Sequence, residues 1–275
     1  MKRKESIKMN YNKPNDEYGL RDLQNCFTRM LEDLQMICEA NNINLFLVEG
    51  TALGARRHNG FIPWDDDLDI AMTRADYIKF KKVFLESNEL KEKYFYQDYI
   101  TDPQYPIPFA KIRKNNTVFL EEGTKELDMH QGIYIDIFPL DYSAKTKIGK
   151  TIQLFACQLY ETLLRKNIPN NPIKRAVVAL IEMFKLEKKA MGMFNKIITH
   201  NMKDTGIYYS YFMCGAEFRM TKSEIFPGVK YLFEGNEYYC FNNLEKYLSD
   251  RYGDYMTIPN MEDRLSSQHN LHFEL

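Results

Sequence analysis

The sequence predicts an α+β fold, a mixed sheet with flanking helices plus a helical insertion. Three observations lead there. Short apolar runs suited to buried strands alternate with helical stretches through the first half of the chain, a block in the middle is helical and basic, and the last quarter has the aromatic density of short strands and turns.

Residues 16–42 read as one helix, because Leu20, Leu23, Phe27, Met30, Leu31, Leu34, Ile37 and Cys38 recur at three- and four-residue steps. Ile43 to Val48 is an apolar run suited to a buried strand. Gly50, Thr51 and Gly54 end it, and a short turn or helix follows. Leu68 to Met72 is a second strand, and Arg74 to Ser87 a helix with Tyr77, Phe80 and Phe84 on one face. Pro103, Pro106 and Pro108 mark a loop. Phe109 to Ile112 and Thr117 to Leu120 are expected to pair as a hairpin, and Gly132 to Phe138 forms a third strong strand closed by Pro139. Residues 144–203 read as two or three helices broken at Pro169 and Pro172. In the remainder, Tyr208, Tyr209, Tyr211, Phe212, Tyr231, Phe233, Tyr238 and Tyr239 suggest strands, and Leu244 to Tyr252 a helix with Gly253 as its C-cap. The expected organisation is an extended or disordered tail over 1–15, a catalytic core over 16–142, a basic helical subdomain over 143–204, and a C-terminal part over 205–275 that completes the core.

Composition narrows the function. With 275 residues, 44% hydrophobic and 14% aromatic, the chain builds a real core. A net charge of −1 argues against a dedicated nucleic-acid binder. No transmembrane run and no signal peptide are read, and the 5 scattered cysteines contain no CxxC pair, so neither a zinc site nor a disulfide framework is expected. The expected location is cytoplasmic. The charge is uneven: residues 144–203 hold 12 Lys and Arg against 3 Asp and Glu, a net of +9 that leaves −10 for the rest. That block is either a solvated basic face or a surface for anionic lipid or a polyanionic acceptor, with peripheral contact at the inner membrane face.

The chemistry concentrates in residues 49–72, EGTALGARRHNGFIPWDDDLDIAM. Four of the five positions from Asp65 to Asp69 are aspartates, which repel one another strongly unless a cation sits among them. In an extended chain Asp67 and Asp69 share a face, Asp65 falls on the same parity, and Asp66 points away. Two oxygen ligands on one face suit Mg²⁺, or Mn²⁺ in its place, that also holds substrate phosphates. The structural alternative is an acidic turn or helix N-cap. Gly50 lets the backbone approach a ligand closely, and Thr51 adds a hydroxyl and an N–H for a phosphate oxygen. Asp136, inside the apolar run from Gly132 to Phe138, is costly to bury unless paired or metal-bound. It reads as a third metal carboxylate or as the base for an acceptor hydroxyl, against a hydrogen-bonded core aspartate.

A strand ending in Gly-Thr, then Asp-apolar-Asp, then a lone aspartate in a later strand is similar to the DNA polymerase β-like nucleotidyltransferase superfamily. The fuller string resembles the LicD family, in the block Gly50-Thr51-Ala52-Leu53-Gly54, Arg57-His58 and Gly60 to Asp67, in Ile135 to Asp141, and in Tyr252-Gly253-Asp254-Tyr255-Met256, Pro259, Arg264 and His269. The likeness runs over roughly residues 20–270. Ala52 stands where that family usually has Leu, and the cysteine zinc site of its animal members is missing. The resemblance implies a nucleotidyltransferase-like sheet. It also implies transfer of a phospho-alcohol from a CDP-linked donor, most often phosphocholine from CDP-choline, onto a sugar hydroxyl of teichoic acid, capsule or lipopolysaccharide, with release of CMP. Ribitol or glycerol phosphate are the alternative cargoes.

On that resemblance Asp67, Asp69 and Asp136 would hold the metal at the diphosphate, with Asp136 also taking the acceptor's proton. Gly50 and Thr51 would hold a phosphate oxygen. Lys111 and Arg113, two apart in a strand, add positive charge to the diphosphate or line a solvated face. Arg57 and His58 either touch substrate or fix the metal loop. Trp64 and Phe61 read as core anchors for that loop, and Arg264 and His269 either reach the site from the tail or serve structure. Three other classes stay open: nucleotidyl transfer to a small acceptor, a haloacid-dehalogenase-type phosphatase, and a binding protein that lost turnover. The phosphatase needs its nucleophilic Asp directly after an apolar strand, whereas Asp67 follows Trp64-Asp65-Asp66.

Overall fold

A computed structural model describes residues 16–165, 171–199, 204–210, 218–266 and 268–275. The expected tail over 1–15, and the breaks and aromatics at Pro169, Tyr211 and Phe212, lie outside them.

The chain opens with helix α1 (Arg21–Ala40), which buries Leu23, Cys26, Phe27, Met30, Leu31, Leu34 and Cys38 on one stripe. The strand expected from Ile43 shrinks to β1 (Phe46–Leu47). The Ile43 N–H is spent on Cys38 O at 2.9 Å, closing the end of α1, so pairing starts only beyond it. Gly50 and Thr51 lie inside the first turn of helix α2 (Glu49–His58), so the strand-to-helix switch comes at Val48 and Glu49. Glu49 makes the turn with φ +46°, a left-handed conformation uncommon for a side chain of this kind.

Strand β2 (Asp69–Thr73) and helix α3 (Arg74–Glu86) follow, joined by Thr73, whose hydroxyl accepts the Asp76 N–H. Phe80 and Phe84 are fully buried and Tyr77 packs beside them. Helix α4 (Asn88–Lys93) and strand β3 (Tyr94–Gln97) had no counterpart in the sequence reading. Next come β4 (Ala110–Lys114), β5 (Val118–Glu121) and β6 (Tyr134–Tyr142).

The expected β4–β5 hairpin does not form. Strand β4 already has a neighbour on each edge, β3 and β6, both antiparallel. The turn residue Asn116 (φ +59°) swings the chain out instead. Strand β5 pairs with the C-terminal strand β11 (Asn270–Glu274). Nor does Pro139 close its strand, since β6 runs through it to Tyr142. The Asp136 N–H points to β2, donating to Leu68 O, so by alternation the position of Pro139 faces the other edge. On that edge β4 stops opposite Ile137 and β7 (Ile207–Tyr209) begins opposite Asp141, so the missing N–H falls in a gap. The main sheet runs β1-β2-β6-β4-β3, with β2 and β6 parallel and the other neighbours antiparallel. The edge of β6 beyond the gap is continued by β7 and β8 (Arg219–Thr221). This is the mixed sheet of the α+β expectation.

The basic block forms α5 (Lys147–Arg165), α6 (Pro172–Met183) and α7 (Glu187–Ile198). Pro172 opens α6 at its first turn, with the Asn171 side chain as cap. Cys157, Tyr160, Leu163, Val178, Phe194 and Ile198 form an apolar cluster of their own, joined to the sheet through Tyr209. Among the described residues no helix is long and apolar enough to cross a membrane. After β8 come a one-turn helix α8 (Lys222–Ile225), the antiparallel pair β9 (Val229–Phe233) and β10 (Asn236–Cys240), helix α9 (Leu244–Tyr252) and helix α10 (Met261–Ser266). Gly253, at φ +65°, ends α9.

Candidate active site

Three adjacent strands set one row of chemistry. Asp69 on β2 is in register with Asp136 on β6, and Asp136 with Lys111 on β4. Register neighbours share a sheet face, so the three side chains stand side by side. Lys111, only 2% exposed, places Nζ 3.0 Å from Asp136 Oδ1 and 3.7 Å from Glu121 Oε2. The same ammonium lies 3.2 Å from the centroid of the Tyr134 ring.

The loop before β2 brings Asp67 and Asp65 to the same place. With Asp69, Asp136 and Gly50 they line a cavity of about 860 Å³ whose walls include Arg57, Trp64, Phe138, Arg251, Tyr252, Asp254, Tyr255 and His269. Burial pushes the Asp67 carboxyl up to about 7, with the charges of Asp66 and Asp136 adding to it and His269 opposing. Burial, then Asp67 and Asp136, hold Asp69 well above the usual carboxylate range, and Asp65 is raised by burial and by Asp67. Asp136 is raised by burial despite Lys111. Gly50 approaches Asp65 so closely that a Cβ there would lie 2.8 Å from Asp65 Oδ2. That oxygen, buried, has no hydrogen-bond partner among the described residues.

The other expected site residues distribute as follows. Thr51 is buried, and its hydroxyl accepts the Asp69 N–H at 2.9 Å, which ties α2 to the start of β2. Arg57 lines the cavity and donates to Tyr255 O at 2.6 Å, gathering the segment after α9 against the wall. His58 turns its ring edge-on to Trp64, and burial lowers its pKa. Arg113 is wholly buried, donating to Gln97 Oε1 at 2.6 Å and Gly132 O at 2.8 Å, so it does not reach the cavity. Arg264 lies over the Trp64 ring and donates to Pro259 O at 2.7 Å, outside the lining. Phe61 and Trp64 are buried in the main core.

His269 does reach the site. Its Nε2 stands 3.5 Å from Asp67 Oδ2. The device that holds it is Asp66, which the sequence reading only turned away from the cluster. Asp66 Oδ2 accepts the backbone N–H of His269 and of Asn270, both at 2.7 Å, and the Asn270 side-chain amide at 2.5 Å. A second such tie is Glu49, whose carboxylate accepts from Arg251 Nε at 2.8 Å, Tyr252 OH at 3.1 Å and Tyr247 OH at 3.2 Å, seating α9 beside the cavity. Neither role had a sequence signal beyond the residue's place in the motif.

The donor set is all oxygen. Among the described residues no three potential ligands converge into a ready-made metal cage. Mg²⁺ needs none, since it binds through one or two carboxylates and completes its shell with water and substrate phosphates. Carboxylates forced upward in pKa by burial and then by one another, with one buried oxygen left unsatisfied, fit a hard divalent cation of this kind.

Residues 42–161 match the family model described as LicD/FKTN/FKRP, nucleotidyltransferase domain. The chain is 29% identical over 259 residues to the lipopolysaccharide cholinephosphotransferase LicD of Haemophilus influenzae, an alignment that spans 89% of this chain and 94% of that protein. A stretch of 62 residues is 39% identical to an uncharacterized protein of Rickettsia typhi, covering 22% of this chain and 20% of that one. A 62-residue stretch is 37% identical to one of Rickettsia prowazekii, covering 22% and 23%.

Proposed function

This chain belongs to the LicD family, and from that premise we propose that it moves phosphocholine from CDP-choline onto a sugar hydroxyl of a cell-surface glycan, releasing CMP. The relative that it matches over most of its length is named a lipopolysaccharide cholinephosphotransferase, which supports phosphocholine as the group moved. The observation that bears most weight is the set of Asp67, Asp69 and Asp136 lining a cavity large enough for a nucleotide donor, with Lys111 buried behind Asp136.

Asp67 and Asp69, with Asp136, would hold Mg²⁺ or Mn²⁺, which when bound offsets the charge of the donor's diphosphate. The chain's own residues do the rest. Asp136, its pKa raised by burial, takes the proton of the acceptor hydroxyl. The acceptor oxygen forms a bond to the phosphorus that carries choline, and the bond from that phosphorus to CMP breaks. Lys111 holds Asp136 in place from the side. Arg57 and Arg251, on the cavity wall, face the anionic donor, and the rings of Phe138, Tyr252 and Tyr255 offer π faces for a trimethylammonium group. The same reading keeps the expected location, cytoplasmic with peripheral contact at the inner membrane face.

A donor screen tests this. The protein is incubated with CDP-choline, CDP-ribitol, CDP-glycerol, CDP-ethanolamine, CTP and ATP, with Mg²⁺ or EDTA, and CMP release and thermal shift are read. A Mg²⁺-dependent response to CDP-choline, lost in Asp67→Asn, is expected. Preference for another CDP-alcohol renames the cargo, and preference for an NTP overturns the reading in favour of nucleotidyl transfer.

A further inference from the structure

Helix α6 is apolar on both sides. Its inner side packs Val177, Val178 and Ile181 against the cluster shared with α5 and α7. Its outer side carries Ile173, Ala176, Leu180, Met183 and then Phe184, which fall within about 100° of one another on a helical wheel, with no charge among them. Ile173, Leu180, Met183 and Phe184 are 53% to 67% exposed. Its charged residues, Lys174, Arg175 and Glu182, all lie off this outer stripe, which is left to water. Elsewhere on α5 and α7, Ile148, Ile152 and Met193 are also more than half exposed.

What covers this face is settled by its charge. The apolar side runs directly into exposed Lys185, Lys188 and Lys189, inside a block whose net charge is +9. A second copy docked symmetrically through the same face would bring the same positive block against it and repel. An acidic bilayer surface supplies both missing halves, an apolar layer for the side chains and anionic headgroups for the lysines. At 12 residues α6 is too short to span a bilayer but long enough to lie in its interface.

We infer that the outer face of α6, with the lysines that follow it, docks on an anionic lipid bilayer. The inference concerns a surface apart from the cavity, and its test reads binding without turnover.

The full chain is sedimented with vesicles of phosphatidylcholine alone and with vesicles containing about one-quarter phosphatidylglycerol. Pelleting with the anionic vesicles alone, weakening as salt rises, is expected. Leu180→Glu with Phe184→Glu should abolish it. Lys188→Glu with Lys189→Glu, both exposed, should weaken it at least about five-fold per lysine. Melting curves report whether each variant folds. Failure to pellet with any vesicle overturns the inference, as does pelleting that neither folded variant changes. So does a concentration-dependent dimer in light scattering that disappears in the Leu180/Phe184 variant, because a second copy would then cover the face.

Discussion

Lys111 is the most informative residue to remove. A buried ammonium 3.0 Å from Asp136 gains about 5 kcal/mol of attraction at an effective dielectric constant of about 20. Much of that only offsets the cost of burying both ions. Lys111→Met therefore leaves Asp136 and Glu121 sharing a buried site without their common cation, at a cost of about 3–5 kcal/mol. Asp136→Asn costs less, because Lys111 keeps Glu121 and one repulsive charge leaves the row beside Asp69. In the double variant the lost cation and the lost anion offset each other. Urea denaturation of the four proteins should give a coupling of at least about 1.5 kcal/mol. Catalysis supplies a second readout. Without the ammonium the raised pKa of Asp136 rises further, so the acid limb of the pH–rate profile should move to higher pH in Lys111→Met. Additive stabilities within about 0.5 kcal/mol, with an unmoved acid limb, would refute the proposed pairing.

Two further outcomes follow from the same geometry. Asp67 carries a folded-state pKa of about 7 against an ordinary value of 3.8, so between those values the folded protein binds more protons than the unfolded one, and metal-free stability is lost as pH rises. Asp67→Asn should therefore match the parent near pH 4 and be more stable near pH 7. The gain is at most about 4 kcal/mol, and less because the side chain keeps 17% of its exposure. Melting in EDTA across that range checks it, a gap that fails to widen with pH would sink it, and Mg²⁺ should raise the parent's melting temperature more than the variant's. Asp66→Ala removes the acceptor of three hydrogen bonds from His269 and Asn270, two of them backbone, at about 2–4 kcal/mol. It should speed proteolysis around β11 and lower CMP release while the circular dichroism of the helices holds; an unchanged cleavage rate would show that the tail is held elsewhere.

Much of this was legible because local pattern and tertiary role coincide. The stripe of α1, the aromatic face of α3 and the apolar runs of β2 and β6 each state a period and a buried side. Asp67, Asp69 and Asp136 stood out because carboxylates beside apolar strands need a reason to be there. What failed was non-local. Whether β5 pairs with β4 or with β11 depends on β4 having both edges taken, which no window of sequence reveals. Pro139 reads as a strand end unless the gap between β4 and β7 is known. Lys111 and Arg113 sit two apart on one strand face, yet one meets Asp136 and the other turns to Gln97 and Gly132, a choice made by neighbouring strands. Asp66 and Glu49 look like members of an acidic motif, but each works as a tether for segments about two hundred residues away.

That separation has a consequence for when the protein becomes active. His269 is brought to Asp67 by an aspartate 203 residues earlier in the chain, and the strand that follows it closes on β5 across 149 to 156 residues. Closing so long a loop carries an entropic cost before any contact rewards it, so this strand should join late. Synthesis imposes the same order, because residues 268–275 follow every other part of the site out of the ribosome. The sheet with its carboxylate row can form first and wait, with Asp67 still lacking the imidazole of His269. On refolding, the circular dichroism of the core should therefore return before donor turnover does, and the lag between them measures the docking of the last strand.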